Sequence, residues 1–136
     1  MRLMWKSLVA VVAVVMLSAV GAAQGKQSVF VNLTSDEGQR VTMALNFSNS
    51  LLKDGQDVTI FLNVDGVRLG SAKVAGLSAQ RTELQAFMKA GGKVIVCMHC
   101  MQMRGVTQAD LIPGLTTGGE GQGRQAFLAS TRQISY

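Results

Sequence analysis

The chain is poor in the residues that most often announce a chemistry. It has one histidine, two cysteines, one proline, one tryptophan and one tyrosine in 136 residues, and 5% aromatic content. A single histidine excludes a multi-histidine metal centre within one chain, and two cysteines build neither a disulfide scaffold nor a four-thiolate zinc site. So few aromatics leave no stacking wall for a nucleotide or flavin, so no organic cofactor is expected. The formal charge is +5, but there is no Lys/Arg run and no basic stripe interleaved with aromatics. Nucleic acid is therefore not an expected partner. The length suits one domain with no separate linker.

What is present begins with a leader. Met1–Ser7 carries Arg2 and Lys6, Leu8–Leu17 is unbroken apolar sequence, and Ser18–Ala23 is small and mostly apolar. This is the three-part layout of a secretory signal, and the apolar run is shorter than the roughly 20 residues that cross a bilayer. Residues 1–23 are read as a signal peptide, with cleavage after Gly25 the alternative to cleavage after Ala23, and residues 24–136 as the domain. The expected destination is a bacterial periplasm, with membrane contact only through the signal segment. No cysteine follows the apolar run, so a lipid anchor is not indicated.

The remainder alternates between two hydrophobic periods. Ser28–Leu33 is β-prone, and Thr34, Ser35 and Asp36 after it are good helix N-caps. From Glu37 to Lys53, Val41, Ala44, Leu45, Ser48, Leu51 and Leu52 recur at helical spacing until Gly55. Val58–Val64 is nearly continuous apolar sequence, as in a strand covered on both faces, and Asp65-Gly66 turns the chain. Ser78 is placed to cap a second helix whose Leu84, Phe87 and Met88 face inward; Gly91-Gly92 ends it before the strand Lys93–Cys97. A short helix at Thr107–Leu111, a loop at Thr116–Gly123, a helix at Arg124–Ser130 and an edge strand at Gln133–Tyr136 complete the pattern. Such alternation predicts an α/β fold: a single three-layer, doubly wound, mostly parallel sheet with its function at the carboxyl ends of the strands.

The chemistry concentrates in Cys97-Met98-His99-Cys100-Met101-Gln102-Met103, which holds both cysteines, the only histidine and three of the eight methionines. If Cys97 ends a central strand, free N–H groups of the following helical turn favour a thiolate there, and His99 or Arg104 adds positive charge. Three readings fit these residues. Cys97 and the methionines can simply pack the core. Cys97 and Cys100 can form the C-x-x-C pair of a thiol-disulfide exchanger. Cys97, His99 and Cys100, with thioethers from Met101, Met98 or Met103, offer soft ligands suited to Cu(I).

The chain also resembles the DsrE/DsrF-like family of small α/β sulfur-relay proteins. The resemblance is carried by the opening strand and helix (Val29 to Leu52), Lys93-Val-Ile-Val-Cys97, Arg104-Gly105-Val106 and Asp110-Leu-Ile-Pro-Gly114. It implies a DsrE-like sheet of flavodoxin-like topology and a sulfur carrier at the cysteine eight residues before the glycine of the Arg-Gly step, which is Cys97 before Gly105. Cys100 matches a second cysteine found in some branches. The resemblance further implies a persulfide on Cys97, a sulfur donor or acceptor that is a protein or a small thiol, and a homo-oligomer, trimeric or hexameric.

Other motifs carry less. Gly118–Gly123 has the glycine content of a phosphate loop but not its Gly-Lys-Ser/Thr ending. Asp36-Glu37 suits a first helical turn without any chemistry. No Gly-x-Ser-x-Gly accompanies His99, so a hydrolase is not expected. Asn32-Leu-Thr34 and Asn46-Phe-Ser48 match glycosylation acceptors but fall on a predicted strand and helix.

Overall fold

Strand and helix periods alternate in space as they do in sequence. In the computed structural model, which describes residues 25–136, the strands are β1 (Ser28–Leu33), β2 (Asp57–Leu62), β3 (Lys93–Val96) and β4 (Arg132–Ser135). The helices are α1 (Gly38–Lys53), α2 (Ser78–Lys89), α3 (Met98–Met103) and α4 (Gln122–Ala129). Short 3-10 segments occupy Val64–Gly70 and Gln108–Asp110. The expected signal peptide, residues 1–23, lies outside the described residues. No helix among the described residues is long and apolar enough to cross a membrane.

All four strands pair in parallel, in the order β3-β2-β1-β4. Period-two alternation divides the sheet into two faces. Val29, Val31, Leu33, Val58, Ile60, Leu62 and Val96 are buried in one cluster with Val41, Ala44 and Leu45 of α1 and Leu84 and Phe87 of α2. Phe30 and Phe61 point the other way, their ring centroids 5.8 Å apart, and Phe30 meets Phe127 of α4 edge-on at 5.7 Å. The three layers are thus α1 and α2, the sheet, and α4. A methyl group on Gly123 would sit 2.7 Å from the Phe61 ring, so only glycine lets α4 lie this close to β2.

The strand order corrects two expectations. A flavodoxin-like sheet places its third strand on the far side of the first; here β3 lies outside β2, and only β4 returns past β1. The strand ending at Cys97 is therefore an edge strand, not a central one. Its free edge is partly covered, because Val96 bridges Thr117 in parallel and Gly118 N donates to Val96 O at 3.0 Å. The caps also differ from expectation. Glu37, not Thr34, Ser35 or Asp36, caps α1, its two carboxylate oxygens accepting from Gln39 N (2.9 Å) and Arg40 N (2.8 Å). These bonds hold its carboxyl below the ordinary value. Asp36 instead pairs with Arg68 at 3.0 Å. Ser78 is the first residue of α2 rather than its cap.

Candidate functional site

The carboxyl ends of β2 and β3 lie side by side, tied by Cys97 N donating to Leu62 O at 2.9 Å. Each strand then breaks sharply. After β3, Cys97 takes φ −66 and ψ 107 and serves as N-cap of α3, its Sγ accepting from Cys100 N at 3.2 Å. After β2, Asn63 caps the 3-10 segment, its Oδ1 accepting from Val64 N at 3.0 Å. Val64 is forced to φ +50, a left-handed conformation that a β-branched residue adopts only under strain.

Both cysteines are free and half-buried. The six-residue helix α3 sorts its side chains by the 3.6 period. Cys97, Cys100 and Met101, at i, i+3 and i+4, turn toward the body of the protein. Met101 is 3% exposed within the core, while Met98, His99, Gln102 and Met103 face outward. Cys97 opens into a cleft of about 220 Å³ whose walls include Phe61, Ile95, His99, the Gly118-Gly119 backbone and Arg124. Gly121 at φ +80 begins α4 without a side-chain cap at this cleft, and Glu120 and Arg124 place one charge of each sign on its rim. Cys100 is turned toward β2 instead, where its Sγ–H donates to Asn63 Oδ1 at 3.0 Å. The bond continues across the strand ends, since Asn63 Nδ2 donates to Asn32 Oδ1 at 3.3 Å.

The electrostatics differ from the sequence expectation. A thiol at a helix start is expected to ionise easily, yet burial pushes Cys97 above its ordinary value and the adjacent Cys100 thiol adds to the rise. The Cys100 and His99 N–H groups act in the opposite direction without cancelling it. Neither anticipated side-chain cation compensates: Arg104 is paired with Asp65, and His99, exposed on the cleft wall, acts on Cys97 only through its backbone N–H.

The soft-metal set does not assemble either. Among the described residues no three His, Cys, Asp or Glu side chains converge. His99 lies on the outer face of α3, away from Cys100, and Met101 is spent on core packing. What remains together is the thiol pair, Cys97 with Cys100.

Asn63, expected inside a strand running to Val64, and Asn32, expected only as a glycosylation match on a strand, are joined to the thiol pair by tertiary contact. Asp110, quoted above only as part of the Asp110–Gly114 motif, is a buried carboxylate that ends the 3-10 segment Gln108–Asp110. Asp110 accepts from Thr107 N (2.8 Å) and Thr107 Oγ1 (2.7 Å) and pairs with Lys73. Lys73 first, and then the Thr107 donors, hold its pKa at about 2. The Thr-x-x-Asp spacing, a capping-box variant, was the available signal.

No curated protein matches the sequence. Among solved structures, the chain is similar to the ychN protein from E. coli, with a TM-score of 0.69 at 20% identity over 82% of this chain and 100% of that one. It is also similar to MTH1491 from Methanobacterium thermoautotrophicum, a protein of unknown function, with a TM-score of 0.64 at 18% identity over 79% of this chain and 97% of that one. At these identities the likeness concerns the fold. The sequence itself matches the DsrE/DsrF-like family over residues 26–136, so the chain belongs to the DsrE/DsrF-like family.

Proposed function

We propose that this protein relays sulfane sulfur through a persulfide on Cys97. Family membership suggests sulfur relay in general. The observation that supports the finer reading is the placement of one free thiol, Cys97, in the lining of a cleft, with a second free thiol one helical turn on whose backbone N–H is bonded to Cys97 Sγ. In the loading step the Cys97 thiolate attacks the outer sulfur of a donor persulfide. The Cys97 S–S bond forms as the donor S–S bond breaks, and the donor leaves as a thiolate. The same exchange run toward an acceptor thiolate hands the sulfur on, with no net oxidation. Burial keeps most of Cys97 protonated at neutral pH, but the thiolate that does form is the stronger nucleophile for its higher pKa.

Cys100 is the auxiliary thiol. If its thiolate attacks Cys97 Sγ of the persulfide, a Cys97–Cys100 disulfide forms and hydrosulfide leaves; a dithiol reductant then restores the pair. The donor is the persulfide, and the acceptor the thiolate, of a small thiol or of an exposed cysteine on a partner protein. Export with removal of residues 1–23 is part of the same proposal, as is self-association. Exposed Met43 and Phe47, one turn apart on α1, supply apolar surface for the latter.

Reduced protein treated with a low-molecular-weight persulfide and desalted should gain one sulfur atom removable by reductant. Cys97→Ser should abolish the gain and Cys100→Ser should keep it. Loading that survives Cys97→Ser would overturn the assignment.

A further inference from the structure

Cys100 has an uneven environment. Its backbone N–H is given to Cys97 Sγ, while its own S–H is given to Asn63 Oδ1 at 3.0 Å. That amide is locked in one orientation. Oδ1 also accepts from Val64 N, and Nδ2 is held by Asn32 Oδ1. A flip that would offer Cys100 an N–H donor breaks both bonds at once. The oxygen facing Cys100 accepts a thiol proton but has nothing to give a thiolate, the form that attacks a sulfur–sulfur bond. Val64, whose N–H helps hold the amide, directly follows Asn63 and sits at φ +50, a strained conformation for a β-branched residue.

We infer that Asn63 is a positioning residue that restrains Cys100, so that a sulfur bound to Cys97 waits for an external thiol instead of being lost to internal disulfide closure. The inference rests on the order of the two thiols in the reading above, Cys97 first and Cys100 second. It adds a residue that sets how the Cys97 adduct is partitioned.

Glutathione disulfide tests this without requiring persulfide chemistry. In the first step Cys97 thiolate forms a mixed disulfide and releases one glutathione thiolate. In the second, Cys100 loses its proton and attacks Cys97 Sγ, releasing the second glutathione thiolate and closing the Cys97–Cys100 bond. Acid-quenched mass spectrometry resolves the two steps.

In Asn63→Ala the second step should accelerate about five-fold, the worth of one net hydrogen bond, with the first step moving less than two-fold. Asn63→Ser, which still caps Val64 N but is too short to hold Cys100, should behave the same way if the alanine variant folds poorly. Asn63→Asp keeps an acceptor oxygen and should close no faster than wild type. A merely structural role for Asn63 would move both steps together, and that result overturns the inference. So would an unchanged second step in Asn63→Ala and Asn63→Ser, or an aspartate variant as fast as alanine. A wild-type chain whose Cys97 takes no glutathione overturns the order of the thiols and the inference with it. Failure of persulfide loading alone would sink the relay reading while leaving these closure rates to stand.

Discussion

Replacing Met101 separates packing from ligation more sharply than any other change in α3. The side chain is 3% exposed and belongs to the same core as Val96 and Val106, and its carbonyl accepts from Val106 N at 2.9 Å. Truncating a buried methionine to alanine costs about 2–5 kcal/mol. The lower half of that range applies here, because α3 has six residues and exposed neighbours, so its end can settle into part of the void. A loss of about 2–3 kcal/mol is a large share of the roughly 5–15 kcal/mol that holds such a domain together. At about 4 °C per kcal/mol for a chain of this size, Met101→Ala should lower the melting temperature by about 10 °C. Met101→Leu preserves volume and removes the thioether, and should cost under about 1.5 kcal/mol. Urea titration and thermal melting followed by circular dichroism give both values, and alkylation of Cys97 in native buffer reports whether α3 still seats the thiol. A leucine variant as destabilised as alanine, or an alanine variant that loses less than about 0.5 kcal/mol, would refute a packing role for Met101.

Because burial raises Cys97, its alkylation by iodoacetamide in the Cys100→Ser background should keep rising beyond pH of about 8.5, the ordinary thiol value; a plateau near neutrality would contradict this. Asp110 has its folded pKa depressed to about 2 against about 3.9 unfolded. Its stabilisation is thus complete above about pH 4 and lost as pH falls toward about 2. Asp110→Asn should flatten that acid limb in pH-dependent urea titrations, and an unaltered limb would remove Asp110 as its source. Val64→Asn places a residue that tolerates φ +50 at an exposed position and should stabilise the domain by about 1 kcal/mol, whereas a destabilised variant would show that the strain is relieved elsewhere.

Much of the fold was legible because the hydrophobic period was clean. Val41, Ala44, Leu45 and Ser48 at helical spacing, and the apolar run from Val58, specify α1 and β2 without help from distant residues. The strand order was not legible, since nothing in Lys93–Val96 distinguishes an edge strand whose flank is covered by Thr117 and Gly118 from a central one. The crowding of Cys97 and Cys100 was plain in the sequence and the structure keeps them together. The direction of the Cys97 shift was not plain, because it depends first on burial and then on the neighbouring Cys100 thiol, both set by the folded geometry. His99 looked like a ligand by proximity along the chain, and the helical period turned it away from Cys100. Asn63 was hidden inside an apolar run; only the lateral contact between the ends of β2 and β3 brings it to Cys100.

Relay through Cys97 is tested at its source by intact-mass and peptide analysis of the chain taken from its own cells with thiols blocked before lysis. A population carrying one reductant-labile sulfur, mapped to Cys97, is expected. A chain whose Cys97 is only ever a blocked free thiol, during active sulfur metabolism and with Cys100 present or replaced, would contradict it.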